Sequence, residues 1–116
     1  MKTPGIIGGI APESTVDYYR QIIAKYREWH PDEYPQLIIN SIDLTKMLAM
    51  VAKHDFPALT AHLLREVKRL ADAGAHFGVF ASNTPHIVFD DVASQSAIPL
   101  ISIVETAAAE AHRLGL

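Results

Sequence analysis

Phe77-Gly78-Val79-Phe80-Ala81-Ser82-Asn83-Thr84-Pro85-His86 is the stretch from which the rest of the chain can be read. An apolar run stops at three small polar residues, and a proline follows. The pattern predicts a buried strand, a tight turn and the start of a helix. Thr84 precedes a proline, so its backbone is biased to the extended form that an N-cap needs. Pro85 then takes the first helical position, where its missing N–H costs nothing. A helix begun this way aims backbone N–H groups at one point, which suits an anion such as a carboxylate. Ser82 and Asn83 line the same cradle. A capped turn that holds no ligand fits the same residues.

Upstream, Gly5-Ile6-Ile7-Gly8-Gly9-Ile10 predicts a first buried strand that ends in a glycine turn. Paired glycines at a strand end allow a positive φ and close approach by a ligand or another backbone. The segment lacks G-x-G-x-x-G, and no Gly-Lys-Ser/Thr follows, so it is neither a dinucleotide fingerprint nor a P-loop. Ser14 and Asp17 match a capping box for a helix that runs to about Trp29. Val16, Tyr19, Ile23 and Tyr26 recur at helical spacing and predict its sheet-facing stripe. Residues Gln36 to Ile42 form the second strand, with Asn40, Ser41 and Asp43 at its exit. Leu44 to His54 is too apolar for a free loop and predicts a short helix, a lid or a contact surface. Asp55 caps a third helix with Pro57 in its first turn, Leu59, Leu63, Val67 and Leu70 on its apolar face, and Gly74 just past its end.

Downstream of the turn, His86 to Val92 predicts a short helix and Ile98 to Ile103 a fourth strand. A last helix, with Glu105 in its first turn, runs to Leu114. Strands alternating with helices imply a parallel sheet covered on both faces: a flavodoxin-like, three-layer α/β sandwich with strand order 2-1-3-4. The chain reverses direction between strands 1 and 3, and ligands of such sheets sit in the crevice there. The Gly8-Gly9 turn and the Ser82 to Pro85 turn both reach that crevice, and Asn40 to Asp43 border it.

The bulk numbers agree with one soluble domain. The chain has 116 residues, 49% hydrophobic and 20% charged, with a formal charge of −3. That balance argues against nucleic acid or an anionic membrane as a partner. No apolar run reaches the length of a membrane span, and glycines interrupt the N-terminal one, so a cytoplasmic protein is expected. There is no cysteine. Disulfides, thiolate metal sites and thiol catalysis are therefore excluded together.

Three stretches resemble the aspartate/glutamate racemase family: Gly5 to Thr15, Ser41-Ile42-Asp43-Leu44, and Ala81-Ser82-Asn83-Thr84-Pro85-His86. The last is similar to that family's first catalytic loop, which usually reads Cys-Asn-Thr-x-His. The Ile98 to Ile101 strand also fits, and the likeness spans the whole chain, residues 1–116. It implies racemisation without pyridoxal phosphate or any other cofactor. One thiolate removes the Cα proton and an opposite thiol reprotonates the other face, each cysteine coming from one of two similar α/β domains. Carried over, Ser82 takes the acid/base position, Asn83 and Thr84 bind the substrate carboxylate, and Gly8 and Gly9 shape the pocket. Asp43 and Lys46 are pocket-rim candidates for substrate binding. His86 supports the loop, or else lies on the surface or packs its helix.

Two departures bear on activity. A free thiol has a pKa of roughly 8.5 and yields a thiolate easily, whereas the Ser82 hydroxyl needs a neighbouring base. The family also continues into a second domain that carries the other cysteine, so this sequence corresponds to the first half. The expectation is a racemase-type domain of impaired activity, acting on a small carboxylate or amino acid. A second copy could close the cleft as a homodimer through the apolar Leu44 to Val51 segment. The alternatives are a carboxylate-binding module without chemistry and a relative of the hydantoin racemases or decarboxylases.

Overall fold

Everything in the fold is laid against its first strand. The computed structural model describes residues 2–9, 12–82 and 84–102. Within it β1 (Pro4–Gly8), β2 (Ile38–Ser41), β3 (Phe77–Phe80) and β4 (Leu100–Ile101) form one parallel sheet in the order β2-β1-β3-β4. This is the expected order. Ile7 pairs with Asn40 on one side and with Phe80 on the other. Ile6 and Ile7 are both fully buried, although successive side chains of a strand point to opposite faces. The middle of the sheet is therefore covered above and below, as a parallel sheet requires.

The cover follows from the direction of each crossover. A right-handed connection places α1 (Pro12–Trp29), on the step from β1 out to β2, on one face. The return step past β1 to β3 places α3 (Phe56–Asp72) on the other. On the α3 face, Leu59, Leu63, Val67 and Leu70 are buried at helical spacing, together with Ile7, Met47 and Phe80. Each such side chain contributes about 1.5–3 kcal/mol when fully buried, so this stripe sets where α3 lies. α2 (Leu44–Ala52) and α4 (Phe89–Gln95) pack against α3, and Met47, Phe89 and Val92 join the same core. Among the described residues no helix is long and apolar enough to cross a membrane.

The ends of α2 and α3 show how local sequence stops a helix. Asp43 Oδ1 accepts the Thr45 N–H at 2.9 Å, and Asp55 Oδ1 accepts the Ala58 N–H at 3.2 Å, so both helices open on an aspartate cap. Both close by the same pair of reverse hydrogen bonds. In α3 the Gly74 and Ala75 N–H groups reach Ala71 and Leu70 carbonyls; in α2 the His54 and Asp55 N–H groups reach those of Val51 and Met50. That closure needs a left-handed residue just past the end. Gly74 fills the place in α3 at φ 108°, and His54 fills it in α2 at φ 52°.

Several local expectations are corrected. α1 begins at Pro12, so Ser14 lies inside the helix and caps nothing; Asp17 Oδ2 accepts from Gln21 Nε2 instead of reaching back. Proline at a first helical position outweighs the serine three residues in. The predicted α1 stripe is mostly half-exposed or exposed, with Val16 49% and Tyr19 42% accessible. Thr15 is the buried residue of that helix, because α1 touches the sheet mainly through the glycine end of β1. β2 and β4 are shorter than read. The segment after Thr84 is a 3₁₀ turn, Thr84–Val88, that runs into α4. The expected last helix, from Glu105 to Leu114, lies outside the described residues.

Gly74→Ala is expected to destabilise the chain by about 1–2 kcal/mol, the cost of left-handed backbone in an ordinary residue. His54→Gly should be neutral or mildly stabilising, since relieved strain offsets the looser unfolded chain. Urea denaturation of the two variants beside the parent checks both.

Candidate functional site

Three strand exits converge at the edge where the strand order reverses. The Ile7 carbonyl accepts the Ala81 N–H at 3.0 Å, and the Gly8 carbonyl accepts the Ile42 N–H at 2.9 Å. These last rungs hold the exits of β1, β3 and β2 side by side before the chains part. Gly9 has φ 85°, and its N–H donates to Thr15 Oγ1 at 2.9 Å in a buried position. There is no room for a side chain on either glycine. A Cβ on Gly8 would stand 2.5 Å from Thr15 Cγ2 and Oγ1, and one on Gly9 would stand 2.6 Å from the Ile42 carbonyl oxygen and 2.7 Å from Ser41 Oγ. Thr15 is β-branched and helical, so it has little freedom to swing away. The expected glycine turn is therefore present, with the positive φ on Gly9.

On the other side of the crevice, Ser82 is half-buried directly after the buried Ala81. Its hydroxyl accepts the Thr84 N–H at 3.4 Å, a long and weak contact. The anticipated cradle of free amides is thus smaller than expected, because a five-residue 3₁₀ turn rather than an α-helix starts here. Pro85 is buried at its second position. His86 Nδ1 lies 2.9 Å from the Ser82 carbonyl oxygen. A carbonyl only accepts, so that nitrogen carries the proton in this bond. The imidazole stacks on Phe89 with centroids 5.3 Å apart and planes at 11°, and meets Phe80 edge-on at 6.0 Å. His86 thus links the turn after β3 to α4, and its Nδ1 faces the serine carbonyl, not the hydroxyl.

The remaining candidates fall at varying distance from this pair of turns. Asp43 is exposed and serves as the α2 cap, bound to both the amide and the hydroxyl of Thr45. Those bonds, chiefly the one from the hydroxyl, hold its carboxyl below the usual carboxylate range. Lys46 is exposed on α2 and makes no ion pair among the described residues. Asn40 does not border the crevice with a free side chain: its Nδ2 donates to Glu66 Oε2 at 2.8 Å and to the Glu66 carbonyl at 3.1 Å. Asn83 lies outside the described residues. Sequence reasoning passed over Thr15 and the hydroxyl of Ser41, both of which press on the glycine turn. A β-branched threonine one turn after two glycines was the available signal for the first.

The crevice itself is open. A hollow of about 430 Å³ lies next to it on the β4 side, lined by His86, Phe89, Asp90, Asp91 and Ser102. Another of about 470 Å³ lies between α3 and α4, at Phe56, Thr60, Leu64, Asp91 and Gln95. Neither is walled by Gly9 or Ser82. We take the strand-exit crevice as the site because two independent turns meet there, whereas the hollows are open grooves beside helices.

Known proteins share this sequence pattern and this fold. The family profile described as Asp/Glu/Hydantoin racemase matches residues 7–116. A Yersinia pestis protein described as a candidate Asp/Glu racemase superposes with TM-score 0.94 at 31% identity, over 100% of this chain and 51% of that one. An aspartate racemase homologue from Pyrococcus horikoshii superposes with TM-score 0.85 at 37% identity, over 99% of this chain and 50% of that one. The chain thus spans about half the length of these matched structures.

Thr15→Val keeps the shape of the side chain and removes the acceptor of the Gly9 N–H. With that amide buried and unpaired, a loss of about 1–3 kcal/mol is expected in urea denaturation. Thr15→Ser should lose less, since the hydroxyl remains.

Proposed function

The chain belongs to the Asp/Glu/Hydantoin racemase family, and from that premise we propose that it supplies one wall of the cleft of a cofactor-independent amino-acid racemase. The substrate class is a small α-amino acid with an acidic side chain. The reaction is removal of the Cα proton and its return to the opposite face. The observation that carries this reading is the meeting of the Gly8-Gly9 turn with the Ser82-Thr84 turn where the strand order reverses.

Each wall residue has a physical task in this reading. Gly9 lets the β1 exit pack tightly on Ser41 and Ile42, which fixes the backbone wall beside the substrate. The Thr84 N–H is held only weakly by Ser82 Oγ, and a carboxylate competes well for it because charge-assisted hydrogen bonds are the stronger kind. Asn83 adds a second donor to the same carboxylate. Ser82 stands where a proton would be moved. His86 positions that turn by gripping the Ser82 carbonyl from between two phenylalanine rings. Asp43 and Lys46 stand at the rim, on the β2 side. The opposite wall must supply the second acid/base group, since one face of Cα is reached from here. A second copy docked on the exposed side of α2, where Leu48 is 47% accessible, is the association we propose; a monodisperse monomer in light scattering would argue against it.

A second reading rests on a specific observation. A serine hydroxyl needs an adjacent base to act on a Cα proton. The nearest histidine in sequence, His86, points Nδ1 at the Ser82 carbonyl oxygen. That arrangement suits a module that binds carboxylates and does no chemistry. It also leads us to infer that proton transfer at Ser82 is impaired.

Proton exchange separates the two. The chain is incubated in D₂O with each enantiomer of aspartate and glutamate, and the Cα–H signal is followed by NMR. Slow exchange of one enantiomer is expected, and Ser82→Cys should raise its rate by about 100-fold or more, the usual worth of a positioned acid/base group. Saturable binding with no exchange in either protein would establish the module instead.

A further inference from the structure

His62 sits in the middle of α3 with 6% of its surface accessible, and its Nε2 has no hydrogen-bond partner among the described residues. A buried polar atom without a partner is unusual, and a buried charge without one is much costlier. The helix that carries it packs against α2 and β2. Glu66, one turn further along α3, holds Asn40 of β2, and Lys46 of α2 is near enough to act on the ring electrostatically. Burial is the main influence that keeps this imidazole neutral, its pKa lying below the ordinary value.

The surrounding charges offer a protonated ring nothing new. On its own helix stand Arg65 and Arg69, both opposing a positive charge, and Glu66, which favours it. Glu66 Oε2 is already engaged by Asn40 Nδ2 at 2.8 Å and by Arg69 Nη1 at 3.6 Å. From α2 comes Lys46, again opposing. β2 brings no titratable side chain between Ile38 and Ser41, and Asp43 at its exit is bound to Thr45. A proton placed on His62 is therefore costly while the ring stays buried, since burial outweighs the one carboxylate that favours it.

The short element packed on this part of the fold is α2. It has nine residues, with Met47 buried and Leu44, Met50 and Val51 partly buried against the core, and it packs chiefly on α3. Its ends are joints: the Asp43 cap at the front, and His54 in left-handed backbone at the back. We propose that α2 is a flap seated on α3 and that protonation of His62 unseats it. The front joint, Asp43, follows Ser41 and Ile42, which press on Gly9, so unseating also loosens that rim of the crevice. The inference stands whether or not the chain racemises anything.

The sign is fixed by linkage. A histidine held neutral in the folded state favours the seated form at high pH, and that preference is lost as pH falls below about 6.5, the ordinary imidazole value. Hydrogen exchange of the full chain between pH 7.5 and 5, corrected for intrinsic rates, reads it directly. Protection of α2 amides should fall by up to about tenfold per pH unit below about 6.5, levelling once the seated form also binds the proton, while β1 and the second half of α3 stay protected. His62→Phe should flatten the α2 profile. Should that variant fail to fold, the parent suffices: NMR titration must show the His62 ring gaining its proton below the ordinary imidazole value, in step with α2 opening. A His62 ring that titrates at or above that value, α2 protection that does not change with pH, or protection lost evenly across the chain would each overturn the proposal.

Discussion

The structure depends on how closely three segments approach at Gly8 and Gly9. β1 leaves the sheet there, α1 lays Thr15 over the turn, and the exit of β2 presses on it from the side. Each contact is possible because a Cβ is missing. The Gly9 N–H, which has left the strand ladder, is met by Thr15 Oγ1, so the turn carries no buried unpaired donor at that point. Close packing and polar satisfaction thus fall on the same two residues. The β1 side of the crevice is set by the same geometry.

Much of the fold was legible because its strongest signals are periodic. Leu59, Leu63, Val67 and Leu70 marked α3, Asp55 and Pro57 marked its start, and Gly74 marked its end. The alternation of strands and helices, with the handedness of crossovers, led to the order 2-1-3-4. What was misread depends on competition between local signals. Pro12 and Ser14 both suit a helix start, and only the folded chain decides for the proline. Val16 and Tyr19 have the spacing of a buried stripe, but spacing does not say how much of the sheet a helix covers.

The site was legible as a place and less so as a set of bonds. The turns at Gly8-Gly9 and Ser82 follow from strand ends and topology. The partners of individual polar groups do not. Asn40 looked like a crevice residue because it closes β2, yet its amide is drawn inward to Glu66, a carboxylate 26 residues away. His86 stacks on Phe89 and lies against the Ser82 carbonyl oxygen, contacts that its position in the sequence does not reveal. Long-range pairings of this kind leave no periodic trace.

The central position of β1 has a consequence for how the chain is made. This strand is produced before its neighbours, yet Ile7 pairs with Asn40 and with Phe80, far along the chain. At a translation rate of roughly 5–20 residues per second, the second partner follows about 4–15 s later. Until then Ile6 and Ile7 lack their β3 neighbour and have only β2 to pair with. The strand that ends up most enclosed is the one that waits longest in the open, and folding during synthesis cannot complete the sheet until β3 has emerged.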